Sequence, residues 1–586
     1  MAPQPSTETK QSKMSEKEWQ ARAQKWLEPN FDQATRQEVE QLLKQGGDAL
    51  ADAFYQDLDF GTGGMRGIMG AGTNRINRYT LGMASLGLSR YLKKAFPAEA
   101  EELKVAIAYD SRHNSQRLAQ EVASVLAAEK ITVFLYEELR PTPALSFAIR
   151  HLYCHSGIVI TASHNPPEYN GYKVYWRDGG QLVPPHDTGV IEEVRKVNPA
   201  DVRFAENKEH IMPIGQAVDE AFLVEVEKQC LRSEGKEELS VVFTSIHGTS
   251  ITLVPPALAR AGFKTVHVVE EQAQPDGDFP TVESPNPEEG AALQMALDLA
   301  EQKNADLVIG TDPDADRVGI AARNGDGEMV LLNGNQAAVL LIDYLLEAYQ
   351  AQGRLRSNHF IGKTIVTTDL LTRLAEAYGV PCYECLTGFK WIADMIREKE
   401  GKEVFLAGGE ESYGYMVGDF VRDKDAVTGA VMLAEAAAYA KSKGQSLLDR
   451  LSDIYLKHGL YQEKLISLVR KGKKGAEEIA QMMEDFRSQA PESIAGEKVI
   501  EIADYQKGLR HNRLSNESGT IDLPRSNVVQ LKTDRGTLIT ARPSGTEPKI
   551  KFYISTKAPL ASREAEASVL ADLNQRIEAI AKALGL

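Results

Sequence analysis

The sequence predicts an α/β protein of several domains that ends in a smaller α+β domain. Three observations predict it. The chain has 586 residues, enough for about three to five domains at roughly 100–200 residues each. Between about residues 60 and 440, short β-branched apolar runs give way to polar loops and then to helical periodicity, the pattern of βαβ units and mostly parallel sheets. After about residue 460 the pattern becomes hairpins and a closing helix.

Taken in order, residues 1–14 are expected to be disordered. Trp19, Ala23, Trp26 and Leu27 then share one helical face, Pro29 interrupts, and a second helix with Val39, Leu42 and Leu43 stops at Gly46-Gly47. This reads as a helical extension packed on the first domain. Strands are predicted at 105–109, 157–160, 241–243, 307–309 and 404–406. Just beyond such runs lie Asp110-Ser-Arg112, Ser163-His-Asn165, Asp312 to Arg317 and Glu410-Glu-Ser412. In open α/β sheets ligands bind past the carboxyl ends of the strands, so several domains aim their strand ends at one cleft. The apolar stretches 337–348 and 426–440, with Asp343 and Glu435 inside them, read as buried helices. Asp534-Arg-Gly536 is a hairpin turn. Residues 549–555 alternate, with Ile550, Phe552 and Ile554 on one face, and Val569, Leu573, Ile577, Ile580 and Leu584 mark the last helix.

Composition narrows the function. Apolar residues make up 42% and charged residues 26%, ordinary for a globular protein. Lys and Arg number 67 against 83 Asp and Glu, a net charge of −16. Such a chain is a poor partner for nucleic acid or an anionic membrane. A small anion is still compatible, because local cations act within a screening length of ~10 Å. No run reaches ~18 apolar residues and the N-terminus has no signal-peptide core, so a cytoplasmic location is expected. Four cysteines are too few for a disulfide scaffold. Cys382 and Cys385 form a C-x-x-C, but no second such pair or histidine pair completes a zinc site, and they read as small residues near a strand end.

Five segments carry chemistry. Thr161-Ala-Ser-His-Asn-Pro166 delivers Ser163 at the end of a small apolar strand, with His164 beside it; a serine needs a base or a field to become a nucleophile. Gly310 to Arg317 places Asp312, Asp314 and Asp316 at alternate positions, where repulsion calls for a hard divalent cation. An EF-hand needs Gly and Glu where this loop has Arg317 and Arg323, so that reading fails. An aspartyl-phosphate phosphatase with Asp312 as nucleophile stays open. Gly408 to Gly414 offers Glu410 and Ser412 on a glycine-bounded loop suited to sugar hydroxyls. Arg542-Pro-Ser-Gly-Thr-Glu-Pro548 offers a guanidinium fork, hydroxyls of Ser544 and Thr546, and a Gly545 nest for a phosphate. Phe60 to Gly67 presents Arg66 on a glycine-rich loop. Lys173 and Lys424 follow the serine and Glu/Ser loops and are candidates for proton transfer, with solvated surface lysines as the plain alternative.

In this order, over Phe60 to Ile554, these motifs resemble the α-D-phosphohexomutase superfamily. The run from Thr161 to Lys173 is most similar to its phosphoglucomutase/phosphopentomutase branch. The resemblance implies four domains around a central cleft: three similar mixed α/β domains plus a smaller, mobile α+β C-terminal domain, divided here as 1–225, 226–336, 337–460 and 461–586. It implies a phosphoserine at Ser163 and Mg²⁺ held by Asp312, Asp314, Asp316 and the phosphoserine. It assigns sugar contacts to Glu410 and Ser412, with Arg317 in the substrate site. Arg542, Ser544, Gly545 and Thr546 grip the non-transferring phosphate. Arg66, His164, Lys173 and Lys424 serve charge stabilisation or proton transfer. The implied partner is a small phosphosugar, the activity glucose 1-phosphate to glucose 6-phosphate interconversion, and the priming activator glucose 1,6-bisphosphate. Phosphopentomutase, phosphomannomutase, a sugar-bisphosphate synthase and a non-catalytic phosphosugar sensor stay open beside it, since the variable Thr387-Gly-Phe-Lys390 loop leaves hexose against pentose unsettled. No oligomeric state follows.

Overall fold

The computed structural model describes residues 15–586 apart from 62, 206–207, 471 and 545–548. The expected disorder of residues 1–14 lies outside the described residues. Helices Glu16–Lys25 and Gln33–Gln45 form where the spacing of Trp19, Ala23, Trp26 and Val39 predicts them. A third helix, Gly47–Phe54, follows at once. The sequence reading took Gly46-Gly47 as a stop. It is a corner, since Gly46 and Gly47 have φ of 61° and 56° and let the chain turn into the next helix. The three helices bury Trp26, Phe31, Val39 and Phe54 against Tyr79 of the first α/β layer.

Three α/β sheets follow, as expected. The first orders its strands Gly64–Ile68, Tyr169–Trp176, Ser156–Ile160, Lys104–Tyr109, Thr132–Tyr136 and Ile211–Ile214. The second runs Met329–Leu332, Val318–Arg323, Leu307–Thr311, Ser240–Thr244 and Thr265–Val268; the third runs Cys382–Cys385, His359–Thr364, Val404–Gly409 and Tyr415–Val417. The central pairs are parallel. In each sheet one parallel strand passes through a polar loop into an antiparallel neighbour: Ser156–Ile160 into Tyr169–Trp176, Leu307–Thr311 into Val318–Arg323, and Val404–Gly409 into Tyr415–Val417. Each loop holds a non-glycine residue in the left-handed region, Ser163 at φ 52°, Ala315 at 53° and Tyr413 at 66°. Such residues cost about 1–2 kcal/mol, and strain of this kind collects at functional loops.

The apolar helices Gly334–Ala351 and Ala426–Ser442 are buried along almost their whole length. Glu435 is compatible with this because Lys236 Nζ (2.6 Å) and Tyr344 Oη (2.6 Å) pair with it. One continuous apolar cluster joins the first three sheets, from Val159 through Ile309 to Phe405 and Val431. The C-terminal sheet is antiparallel throughout and keeps a core of its own, with Ile550, Phe552 and Ile554 against Met483, Ile577 and Ile580. It meets the third unit through a patch that includes Ile365, Val366, Tyr505 and Tyr553, and through Leu460, Tyr461, Leu560 and Leu573, which join the large cluster beside Leu451 and Tyr455. The chain enters it at Gly459, φ 92°. Cys382 and Cys385 start and end one strand. Positions three apart on a strand point to opposite faces, so the pair cannot close on itself. Among the described residues no helix is long and apolar enough to cross a membrane.

Gly334 fixes how closely the third unit can pack. A Cβ there would lie 2.0 Å from Glu411 O, so the start of helix Gly334–Ala351 rests directly on the Glu410–Gly414 loop. Gly334→Ala is expected to destabilise the protein by about 1–3 kcal/mol through overpacking, read by thermal melting.

Candidate active site

The serine loop and the triple-aspartate loop meet. Ser163 Oγ donates to Asp312 Oδ2 at 2.7 Å and lies 3.1 Å from His164 Nδ1. The turn is held from within, since Ser163 N donates to Thr161 Oγ1 at 2.9 Å. Asp312 Oδ1 accepts the backbone N–H groups of Asp316 (3.1 Å) and Arg317 (3.0 Å), which curls its loop around its own carboxylate. The loop is docked on both neighbouring units. Thr142 N donates to Asp314 O at 2.8 Å, Val318 N to Tyr413 O at 3.0 Å, and Ala426 N to Ala315 O at 3.2 Å. A Cβ at Gly248 would sit 2.5 Å from Pro313 Cα, so glycine is required for the closeness of that packing.

Two lysines neutralise part of this charge. Lys173 Nζ reaches Asp314 Oδ2 (2.8 Å) and Asp316 Oδ2 (3.4 Å); Lys424 Nζ reaches Asp316 Oδ2 (3.2 Å) and Asp423 Oδ1 (3.0 Å). Burial works against both ammonium groups, but the facing carboxylates outweigh it and raise their pKa values. The facing carboxylates thus favour the charged form of both lysines. Burial, with Arg317 and Arg66 nearby, pushes the His164 imidazole down to about 2, so it is neutral at working pH. Burial and then Asp314 and Asp316 drive Asp312 well above the ordinary carboxyl range. Burial would do the same to Asp314, but Lys173 holds it low.

The donor set fits a hard divalent cation. Ligand oxygens of Asp312, Asp314 and Asp316 all lie within 4.8 Å of one another. Asp314 Oδ1 and Asp316 Oδ1 are buried without a hydrogen-bond donor, which leaves oxygens free for the coordination such an ion prefers.

The remaining predicted residues sit around this centre. Arg66 donates to Asn165 Oδ1 at 3.0 Å. Arg317 pairs with Glu288 and lies 3.8 Å from Asp316 Oδ1. Glu410 is buried and its Oε1 accepts from Gly388 N at 3.0 Å, which ties the Glu/Ser loop to the Thr387–Lys390 loop. Burial raises Glu410, while Lys424 and Arg317 pull it back. Ser412 is half-buried on the same loop. Arg542 lies on the strand Leu538–Pro543, opposite Lys551. Burial, then the charges of Lys549 and Arg542, lowers Lys551, while Glu411 and Glu288 act the other way. The cations of the C-terminal unit thus lie within electrostatic reach of the third unit's sugar loop and of the Arg317 partner. Ser544 N donates to Lys549 O at 2.7 Å. Gly545 and Thr546 lie outside the described residues.

Four residues at this centre had no assigned role in the sequence. Asp423 orients Lys424 and accepts from Tyr175 Oη at 2.7 Å. Glu288 holds Arg317, and Asn165 holds Arg66. Arg112 clamps the serine loop. Arg112 and Asn165 carried a signal, their place just past a strand end.

Comparisons with known proteins agree with this layout. Three family models match, described as phosphoglucomutase/phosphomannomutase alpha/beta/alpha domains I, II and III, over residues 57–201, 220–325 and 333–456. A phosphoglucomutase of Staphylococcus aureus strain bovine RF122 / ET3-1 is 40% identical over 538 residues, covering 91% of this chain and 95% of that protein. The solved open form of pp63/parafusin, a phosphoglucomutase from Paramecium, superposes with a TM-score of 0.63 at 18% identity, over 91% of this chain and 97% of that one. A phosphoglucomutase/phosphomannomutase family protein from Burkholderia thailandensis gives 0.64 at 18% identity, over 89% and 97%. At such identities the two structures speak to the fold.

Proposed function

The chain belongs to the phosphoglucomutase/phosphomannomutase family, and from that premise we propose that it interconverts glucose 1-phosphate and glucose 6-phosphate through a phosphorylated Ser163. It is an isomerase that moves a phosphoryl group within one sugar. The observation that carries the reading is the 2.7 Å contact between Ser163 Oγ and Asp312 Oδ2, which joins the phosphoryl carrier to the carboxylate cluster. The 40% identity with a phosphoglucomutase supports glucose over mannose or ribose.

In the forward direction the bond between Ser163 Oγ and phosphorus breaks as a free sugar hydroxyl attacks, giving glucose 1,6-bisphosphate; the proton lost by that hydroxyl is matched by the one gained at Ser163 Oγ. The bisphosphate turns in the cleft and returns its other phosphoryl group to Ser163. Transfer of this kind depends on positioning and charge stabilisation. Asp312, Asp314 and Asp316 would hold Mg²⁺, whose chemistry is to neutralise charge on the departing serine oxygen. Lys173, Lys424 and Arg66 hold fixed positive charge around the transferring group, and the neutral His164 offers a hydrogen bond to Ser163 Oγ. Glu410 and Ser412 orient the sugar hydroxyls. Arg542 and Ser544, with Gly545 and Thr546, grip the phosphate that stays. All four cysteines are free thiols, in keeping with a reducing cytoplasm.

The test is a coupled assay across glucose, mannose and ribose 1-phosphates, with Mg²⁺ and glucose 1,6-bisphosphate present. Fastest turnover of the glucose ester is expected; preference for the ribose ester would redirect the proposal to a phosphopentomutase. Arg542→Ala is expected to weaken substrate binding by ~1.5–3 kcal/mol, the loss of one charged hydrogen-bond set, seen as a KM about 10- to 150-fold higher. An unchanged KM would remove Arg542 from the phosphate site.

A further inference from the structure

We propose that Arg112 is a positioning residue for phosphoryl transfer, one that holds the Ser163 loop in shape. The inference rests on the reading of Ser163 as the phosphoryl carrier.

The Arg112 side chain is fully buried. Its guanidinium donates to Ser163 O (2.6 Å), Pro166 O (2.8 Å), Tyr169 O (3.1 Å) and Asn165 O. Four carbonyls of one loop therefore converge on one side chain. Buried carbonyls need donors, and only a guanidinium presents five N–H groups in a rigid planar fork. The loop has reason to need a clamp, because Ser163 sits at φ 52°, where a serine stays only if its surroundings hold it there.

Arg112 is itself wedged. Asp110 Oδ2 lies 3.4 Å from its Nε, and Asp110 Oδ1 accepts from Arg112 N at 3.0 Å. From the second unit the Phe279 ring lies 5.0 Å from its Cζ. A Cβ at Gly277 would stand 3.2 Å from Arg112 Cα, so that segment presses on its back. Other charges near the guanidinium are Asp312, Asp314 and Arg66.

Full-length Arg112→Lys and Arg112→Gln proteins test this. The lysine keeps the charge but cannot fork to four carbonyls. Misplacing a reacting group by about 1 Å costs on the order of 100-fold, so kcat is expected to fall by about that factor in both variants. KM should stay within about twofold, since the Arg542 cradle is untouched. Hydrogen exchange should rise in residues 162–170 and not across the other strands of the first sheet. Added guanidinium should restore part of the turnover of Arg112→Gln. Wild-type kcat in Arg112→Lys with unchanged exchange in 162–170 overturns the proposal. Exchange raised across the whole first sheet, with KM and kcat falling together, also overturns it, as a plain loss of folding. If the wild-type enzyme turns over no sugar phosphate, the parent reading fails, and the exchange comparison still decides whether Arg112 holds the loop.

Discussion

Ser163→Ala is expected to reduce mutase turnover by on the order of 10⁴–10⁶-fold, the scale of losing a covalent nucleophile. The fold should survive. The backbone bonds that hold the turn, Ser163 N to Thr161 Oγ1 and Arg112 to Ser163 O, do not use the hydroxyl, and alanine meets the same φ of 52°. The coupled assay reads turnover, and intact mass spectrometry after incubation with glucose 1,6-bisphosphate reads loss of the phosphoryl adduct. Near-normal turnover would reject covalent catalysis at this serine. Steady release of inorganic phosphate, insensitive to the substitution, would instead favour Asp312 as a phosphatase nucleophile.

Asp312→Asn is expected to cut turnover sharply and yet spare or improve stability in the absence of a divalent ion. Burial, then Asp314 and Asp316, raise the Asp312 carboxyl far above its ordinary range. A carboxyl raised on folding contributes stability that is complete below its unfolded value, about 3.9, and that is lost as pH rises through the folded value. The metal-free wild type should therefore lose melting temperature relative to Asp312→Asn as pH climbs from about 4, and near neutrality the variant should melt at or above it. Mg²⁺ should raise the wild-type melting temperature and leave the variant unmoved. Turnover should drop on the order of 10²–10³-fold, as when a preorganised electrostatic group is removed. Equal Mg²⁺ shifts in both proteins would take Asp312 out of the metal site.

The sequence made the strands legible because each is a short apolar run whose polar residues begin where the strand ends: Ile160 before Ser163, Thr311 before Asp312, Gly409 before Glu410. Buried strands permit no polar side chain without a partner, so the change of texture marks the strand end. What stayed hidden was pairwise. Nothing in the sequence links Glu288 to Arg317, two loops of one unit that meet only once it is folded, or Asp423 to Tyr175, a contact that depends on how two units dock. The antiparallel strands that follow each loop were hidden too. Tyr169–Trp176 carries Asn170 and Lys173, and Val318–Arg323 ends on Arg323, so neither is a clean apolar run, and periodicity does not report direction. The third N-terminal helix was missed because a Gly-Gly pair ends a helix and turns a corner by the same freedom of φ.

The separate core of the C-terminal sheet has a cost as well as a use. A swing of that unit about Gly459 would leave Ile550, Phe552 and Ile554 packed, but it would part Leu560 and Leu573 from the large apolar cluster and break the Arg563 pairs with Asp449 and Asp453. In the proposed reaction a unit hinged in this way would trade retention for release: an opening that let a monophosphate in would also let the doubly phosphorylated sugar escape, leaving a bare serine to be recharged.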